Sequence, residues 1–466
     1  MDTSAALPAA STALPATSTA LPATSTALLT DRYELTMVDA ALAAGTADRR
    51  SVFEVFARRL SGARRYGVVA GTGRLLEAIE SFRFGDRELE WLRAQGFLRP
   101  QTLDWLADYR FSGDIWGYPE GEAFFPGSPI LTVESSFAEG VLLETLALSI
   151  LNTDSAVATA ASRMVHAAAG KPLAEMGSRR TGERSAVAAA RAAYIAGFDS
   201  TSNLEAGRSY GIPTMGTAAH SFTLLHDSER EAFAAQIAAL GTGTTLLVDT
   251  YDIEQGVRTA IEVAGTGLGA VRIDSGDLPV VVVQVRELLD ELGATNTRIT
   301  VTNDLDEYTV AALAASPVDG FGVGTSVVTG SGSPSMGMVY KLVARAGDDG
   351  EWVPVAKRSA GKVSVGGRKS VRRLEDAAGI ALAELLFSGD GPGGEPEGGE
   401  FEGGGAGTRA REVLVPLVEG GATRPGHTGT EGIAAARERH RRSIAGLPPM
   451  AMSLTRGDPA IPTEYR

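Results

Sequence analysis

From Gly211 to Gly330 the chain repeats one unit, a short apolar run that ends in a polar or glycine-rich stretch and is followed by a helical pattern. The runs are GIPTMGTAAHS, TTLLVDTYD, LGAVRIDSGD, RITVTNDLD and VDGFGVGTSVVTG. Strands that alternate with helices pair in parallel, because a parallel neighbour needs a crossover long enough to hold a helix. Polar residues gathered after such strands fit the catalytic rim of a (β/α) barrel. The fold class is therefore α/β, with a barrel as its catalytic part.

One core rarely supports 466 residues, so at least a second domain is expected. Upstream, FSGDIWGYPEGEAFFPGSPILTVESS reads as short, mostly antiparallel strands broken by Gly and Pro. AEGVLLETLALSILN and SAVATAASRMVHAAAG read as two long helices. We divide the chain into a low-complexity tail over 1–27, an N-terminal α/β domain over 28–150 and a barrel domain over 151–340. The tail carries the repeat STALPAT twice, at Ser11–Thr17 and Ser18–Thr24, and a Gly/Glu-rich insertion covers 389–408.

The formal charge of -14 argues against a nucleic-acid binder and against adhesion to anionic membranes, so a phosphate site has to be local. With no cysteine, disulfides, thiolate metal sites and a cysteine nucleophile are excluded. Five histidines leave little for a metal cluster, and no segment reads as a membrane span or a signal peptide. A cytoplasmic location is expected.

The segment EMGSRR places Arg179 beside Arg180, a pair suited to forked hydrogen bonds to a carboxylate or phosphate. His220 follows GIPTM, with Ser221 adjacent and Asp249 after the next expected strand. A carboxylate beside an imidazole fixes its tautomer and makes the other ring nitrogen more nucleophilic. Asp252, Asp274, Asp277, Asn303 and Asp304 also follow strands. One such acid usually caps a helix, but several would converge on one barrel mouth. The amides of Gly324 and Thr325 are candidate phosphate donors after the last strand. Gly71 and Gly73 read as a turn or a phosphate cradle, and Tyr33 as core packing or a stacking lid. His166 ends a helix and His427 and His440 carry no motif; the latter two are expected at the surface.

LLTDRYELTM, FEVFARRL, EMGSRR, GFDSTSN, GTAAHSF, LLVDTYD, VRIDSGDL, VTNDLDE and GVGTSVVT followed by MGMVYKLV appear in this order between Leu28 and Arg373. On these motifs the chain resembles the nicotinate phosphoribosyltransferases. The resemblance implies an irregular (β/α) barrel with a second α/β domain formed from both N- and C-terminal parts, the latter from 341–466. It implies a homodimer with shared active sites. The reaction implied is nicotinate plus phosphoribosyl pyrophosphate giving nicotinate mononucleotide and pyrophosphate, coupled to ATP, with Mg2+ on the pyrophosphate. In that scheme His220 is phosphorylated by ATP and Asp249 orients it. Tyr33 stacks on the pyridine ring from the neighbouring subunit. Arg179 lies near the substrate carboxylate or pyrophosphate, Arg272 near phosphate and Asp274 near the ribose hydroxyls. Ser221, Gly324 and Thr325 complete the anion contacts. Asn203 stands where nicotinamide-specific relatives carry an acid, and a neutral side chain there favours nicotinate. A nicotinamide phosphoribosyltransferase, a quinolinate phosphoribosyltransferase and a non-catalytic nucleotide sensor are the alternatives.

Overall fold

The computed structural model describes residues 25–357, 365–388 and 407–466. The tail up to residue 24, most of the 389–408 insertion and the middle of the basic stretch Lys357–Lys369 lie outside the described residues.

Six parallel strands lie side by side in the order Ser200–Thr201, Leu173–Glu175, Gly320–Val323, Arg298–Val301, Ala270–Ile273, Thr245–Leu247. The helices Ile253–Ala264, Leu278–Glu291 and Glu307–Leu313 are the crossovers that return the chain between the last four. Their apolar faces bury Val257, Val282, Leu289 and Val310 against Leu246, Val271, Ile273, Ile299 and Val301. The sheet is curled but its two edge strands do not pair, so the barrel is irregular. Two expectations need correction. GIPTM makes no strand; only Thr214 bridges to Thr201, because Pro213 has no N–H with which to extend the ladder. The strands Leu173–Glu175 and Ser200–Thr201 take two places in the sheet, and at three and two residues they are too short to leave a periodic signal.

A second body is built on a seven-stranded antiparallel sheet. Its strand Arg50–Ala57 pairs on one side with Leu131–Ser136 and on the other with Met338–Ala346, so segments nearly 300 residues apart share one ladder. Val415–Glu419 joins the same sheet beside Asp114–Gly117. The remaining C-terminal strands form a smaller sheet in the order Arg409–Glu412, Lys369–Glu375, Ala381–Ser388, Thr463–Tyr465.

One helix, Glu144–Ala167, joins the two cores. Its first half puts Leu146, Ile150 and Leu151 into the core of the antiparallel body, and its second half puts Val157, Ala161 and Met164 into the barrel core. The two helices expected here are instead this single helix preceded by the short turn Phe137–Val141. The sequence reading that nothing approaches a membrane span is also corrected, since Phe137–Ala167 is long and apolar enough by length and composition. It is mostly buried within the protein, where a two-sided apolar helix fills two cores.

The helix Gly429–Ala445 covers this seam, and His440 on it is buried rather than at the surface. Its Nε2 lies 2.9 Å from Ser162 Oγ, which lies 2.8 Å from the Tyr66 hydroxyl. Burial pulls His440 down to about 4. His427 is part-buried.

Candidate active site

The strand ends do converge. Met176, Arg179, Arg180, Arg272, Asp274 and Thr302 line a cleft of about 140 Å³, together with Asn303, Asp304, Gly324 and Thr325. Each wall has a local cause.

Glu175 ends the strand Leu173–Glu175 and is fully buried. Its two oxygens accept from Gly177 N and from Thr201 Oγ, which ties the EMGSRR turn to the neighbouring strand. Burial raises its carboxyl above the ordinary range, opposed by those two donors. A Cβ on Gly177 would stand 2.2 Å from Val328 Cγ1 and 2.8 Å from the Gly324 carbonyl, so only glycine lets this turn close on the last strand's loop. The short turn Ser178–Arg180 then presents Arg179 and Arg180 to solvent. Neither pairs with a carboxylate among the described residues, which leaves two cations free at the cleft.

On the opposite wall Arg272 is fixed along its length. Its Nε donates to Thr302 Oγ1 at 3.0 Å, and Nη1 to Thr217 Oγ1 at 3.1 Å and the Ala218 carbonyl at 3.3 Å. Asp274 accepts from Thr302 Oγ1 and, at 3.4 Å, from Arg272 Nη2. Beside them Asn303 and Asp304 have φ of 95° and 25°, strained for side-chain-bearing residues and of a kind that clusters at functional sites.

His220 opens the short helix His220–Leu224 instead of ending a strand. Its Nε2 lies 3.1 Å from Asp249 Oδ1; the imidazole is 40% exposed and the Asp249 side chain fully buried. The other carboxylate oxygen accepts from Asp274 N at 2.8 Å and Ser275 Oγ at 2.7 Å. A carboxylate can only accept, so Oδ1 faces an Nε2–H, and Nδ1 is left with its lone pair. Asp249 thus connects the histidine to the RIDSGD loop, while Arg272 holds the residues just before the histidine. The histidine and the cleft are one hydrogen-bonded unit.

Ser221 is exposed next to His220, and Gly324 with Thr325 begins the turn Thr325–Val328 at the cleft. Asn203 does not line the cleft. Its Oδ1 caps the helix Leu204–Tyr210 by accepting from Ala206 N at 2.9 Å, and its Nδ2 donates to Ser178 Oγ at 3.0 Å. Both ends of the amide are occupied, and the donor end ties it to Ser178 of the EMGSRR turn. Tyr33 is 45% exposed and also lies away from this cleft, in the antiparallel body. Partial burial, with Glu144 and Glu34 nearby, pushes its hydroxyl up to about 12. Asp252 is a helix cap, accepting from Gln255 N at 2.8 Å. The amides of Gly71 and Gly73 cradle no phosphate, since the buried carboxylate of Glu120 accepts from both.

Thr217 and Thr302 were not singled out from the sequence. No pattern marks them, Thr302 lying one residue past a strand and Thr217 in the loop before His220, and their role appears only once Arg272 lies across them.

A family model described as the nicotinate phosphoribosyltransferase N-terminal domain matches residues 28–152. A nicotinate phosphoribosyltransferase of Mycobacterium tuberculosis is 56% identical over 445 residues, covering 94% of each chain. The Bacillus subtilis nicotinate phosphoribosyltransferase is 36% identical, covering 74% of this chain and 73% of its own. The crystal structure of human nicotinic acid phosphoribosyltransferase superposes with a TM-score of 0.77 at 26% identity, covering 94% of this chain and 97% of the human one. These similarities run through both bodies and the cleft between the strand ends, and the chain belongs to the nicotinate phosphoribosyltransferase family.

Proposed function

We propose that the protein is a nicotinate phosphoribosyltransferase of NAD salvage that couples nucleotide formation to ATP hydrolysis through a phosphohistidine at His220. The observation that carries the ATP step is the pair of His220 and Asp249 joined to an arginine-lined cleft. Nδ1 of His220 attacks the terminal phosphorus of ATP, the bond to the bridging oxygen breaks and ADP leaves; water later releases the phosphate. Asp249 holds the reactive tautomer and stabilises the imidazolium side of the exchange.

In the transfer step the pyridine nitrogen forms a bond to the ribosyl carbon as the bond to pyrophosphate breaks. Arg179, Arg180 and Arg272 take up the charge that grows on the leaving group, together with the amides of Gly324 and Thr325 and the Ser221 hydroxyl. Asp274 receives the ribose hydroxyls. Among the described residues no group of three or more His, Asp or Glu side chains is placed to hold a metal ion. Magnesium bound to the diphosphate would supply charge neutralisation there. Tyr33, placed apart from the cleft of its own chain, serves the site of a second copy in a homodimer. The preference for nicotinate rests on the neutral Asn203 holding Ser178 beside Arg179. The protein works in the cytoplasm.

The test is nucleotide formation from phosphoribosyl pyrophosphate and either nicotinate or nicotinamide, with and without ATP, in the wild type and His220→Ala. Nicotinate turnover stimulated by ATP, with the stimulation lost in His220→Ala, supports the whole reading. ATP stimulation retained in that variant sinks the phosphohistidine, and preference for nicotinamide sinks the substrate.

A further inference from the structure

A second cavity, of about 400 Å³, opens between the small C-terminal sheet, the helix Gly429–Ala445 and the turn at Pro119, and shares no residue with the active-site cleft. Arg373, Arg409, Arg411, Arg439 and Arg442 line it, against Glu122, Glu375 and Glu412. The carboxylates are already committed. Glu122 accepts from Arg373 Nη1 at 2.6 Å and Arg411 Nη1 at 3.1 Å, which together overcome its burial and hold it down at about 2. Glu375 accepts from Arg409 and Arg411 at 3.1 and 3.0 Å, and Glu412 faces Arg372, which is not part of the lining.

Cationic capacity is left over. Arg439 pairs with no carboxylate among the described residues; its Nη1 donates to the Glu120 carbonyl at 2.6 Å. Burial holds its guanidinium below the ordinary value, with Arg442 and Arg411 adding to the effect and Glu122 opposing it. Arg442 is 67% exposed and shares Glu438 with Arg441. Arg373 is buried between Glu122 and Glu384, and its Nε–H has no acceptor among the described residues. Arg439 is thus a guanidinium without a carboxylate among the described residues, in a cavity lined by five arginines and three glutamates, within a chain of formal charge -14. Guanidinium forks match phosphate oxygens, and the volume is that of a small-molecule site.

We infer that this cavity binds a small phosphorylated anion of the diphosphate class, separately from the active site. The ligand chemistry is common to free pyrophosphate and to the phosphate tail of a nucleotide, and the two are distinguished by using each as a probe. Calorimetric titration of the full-length protein with inorganic pyrophosphate, and in parallel with ATP, tests it. The wild type should bind two equivalents of pyrophosphate per chain. Arg439→Gln should remove one, and Arg179→Gln with Arg180→Gln should remove only the other. Arg442→Glu, at an exposed position where folding is not at risk, should weaken the cavity site roughly tenfold. Tighter binding of ATP than of pyrophosphate at the site kept by the Arg179/Arg180 variant would assign it to a nucleotide, and the reverse to the free diphosphate. A single equivalent in the wild type that the Arg179/Arg180 variant abolishes and Arg442→Glu leaves unchanged overturns the inference. A single equivalent that persists in the Arg179/Arg180 variant and is weakened by Arg442→Glu keeps the cavity and moves the failure to the cleft.

Discussion

Asp249→Asn separates the chemistry of His220 from its position. The carboxylate accepts from three donors, the imidazole Nε2 at 3.1 Å, Asp274 N at 2.8 Å and Ser275 Oγ at 2.7 Å. An isosteric amide has one acceptor oxygen and must choose. If the oxygen stays with the imidazole, the amide nitrogen abuts the Asp274 N–H, and a buried donor left without a partner costs about 1–3 kcal/mol. If the oxygen turns to Asp274 and Ser275, the amide N–H points at Nε2, and the proton moves to Nδ1. That second arrangement keeps every bond and is the one expected, because a backbone N–H cannot adapt while an imidazole can change tautomer. The nucleophilic lone pair is then lost at little cost to stability. ATP-dependent labelling of His220 should fall by roughly 10⁴, the loss expected when a catalytic imidazole is held in the wrong tautomer. Turnover of nicotinate and phosphoribosyl pyrophosphate without ATP should persist. The assay is incorporation of γ-labelled phosphate into acid-labile, base-stable protein, beside a denaturant melt. Labelling at the wild-type rate in a folded Asp249→Asn would refute the tautomer argument.

Three further outcomes follow from the same geometry. Gly177→Ala places a Cβ 2.2 Å from Val328 and 2.8 Å from a backbone carbonyl; the cleft must widen, and KM for phosphoribosyl pyrophosphate should rise with about 1–3 kcal/mol lost in a urea melt. Arg191→Ala strands Glu120, which holds that guanidinium at 2.6 and 2.7 Å in a fully buried fork, so stability should drop by about 3–5 kcal/mol, and a loss under 1 kcal/mol would contradict burial of an uncompensated charge. Burial raises Glu34 to about 7, against donors from Thr145 and Thr30. The folded state therefore keeps a proton that the unfolded state releases near pH 4.5, so this contribution is full below pH 4.5 and is lost as pH rises through 7. Melts at pH 5 and pH 8 should differ less in Glu34→Gln than in the wild type, by up to roughly 3 kcal/mol; an equal difference in both proteins would reject the assignment.

Composition and periodicity were sufficient for what depends on neighbours in the chain. The apolar runs ending at Asp249, Asp274, Asn303 and Gly324 are strands and turns because alternating strand and helix patterns are local, and the pairing they impose is parallel whatever the rest of the protein does. Arg179, Arg272 and Asp274 meet at the cleft for the same reason, since strand ends in one parallel sheet share an edge. Tertiary structure decided the rest. That Arg50–Ala57 pairs with Met338–Ala346 rests on a contact almost 300 residues long in sequence. Asn203 became a cap and a tether for Ser178, and Gly71 and Gly73 became partners of Glu120, because a buried polar group takes whichever partner packing brings, and no spacing in the chain records that choice. His440 is buried only because its helix lies across the seam above Ser162, so an isolated basic helix and an interior histidine look alike until the second body is placed beside it.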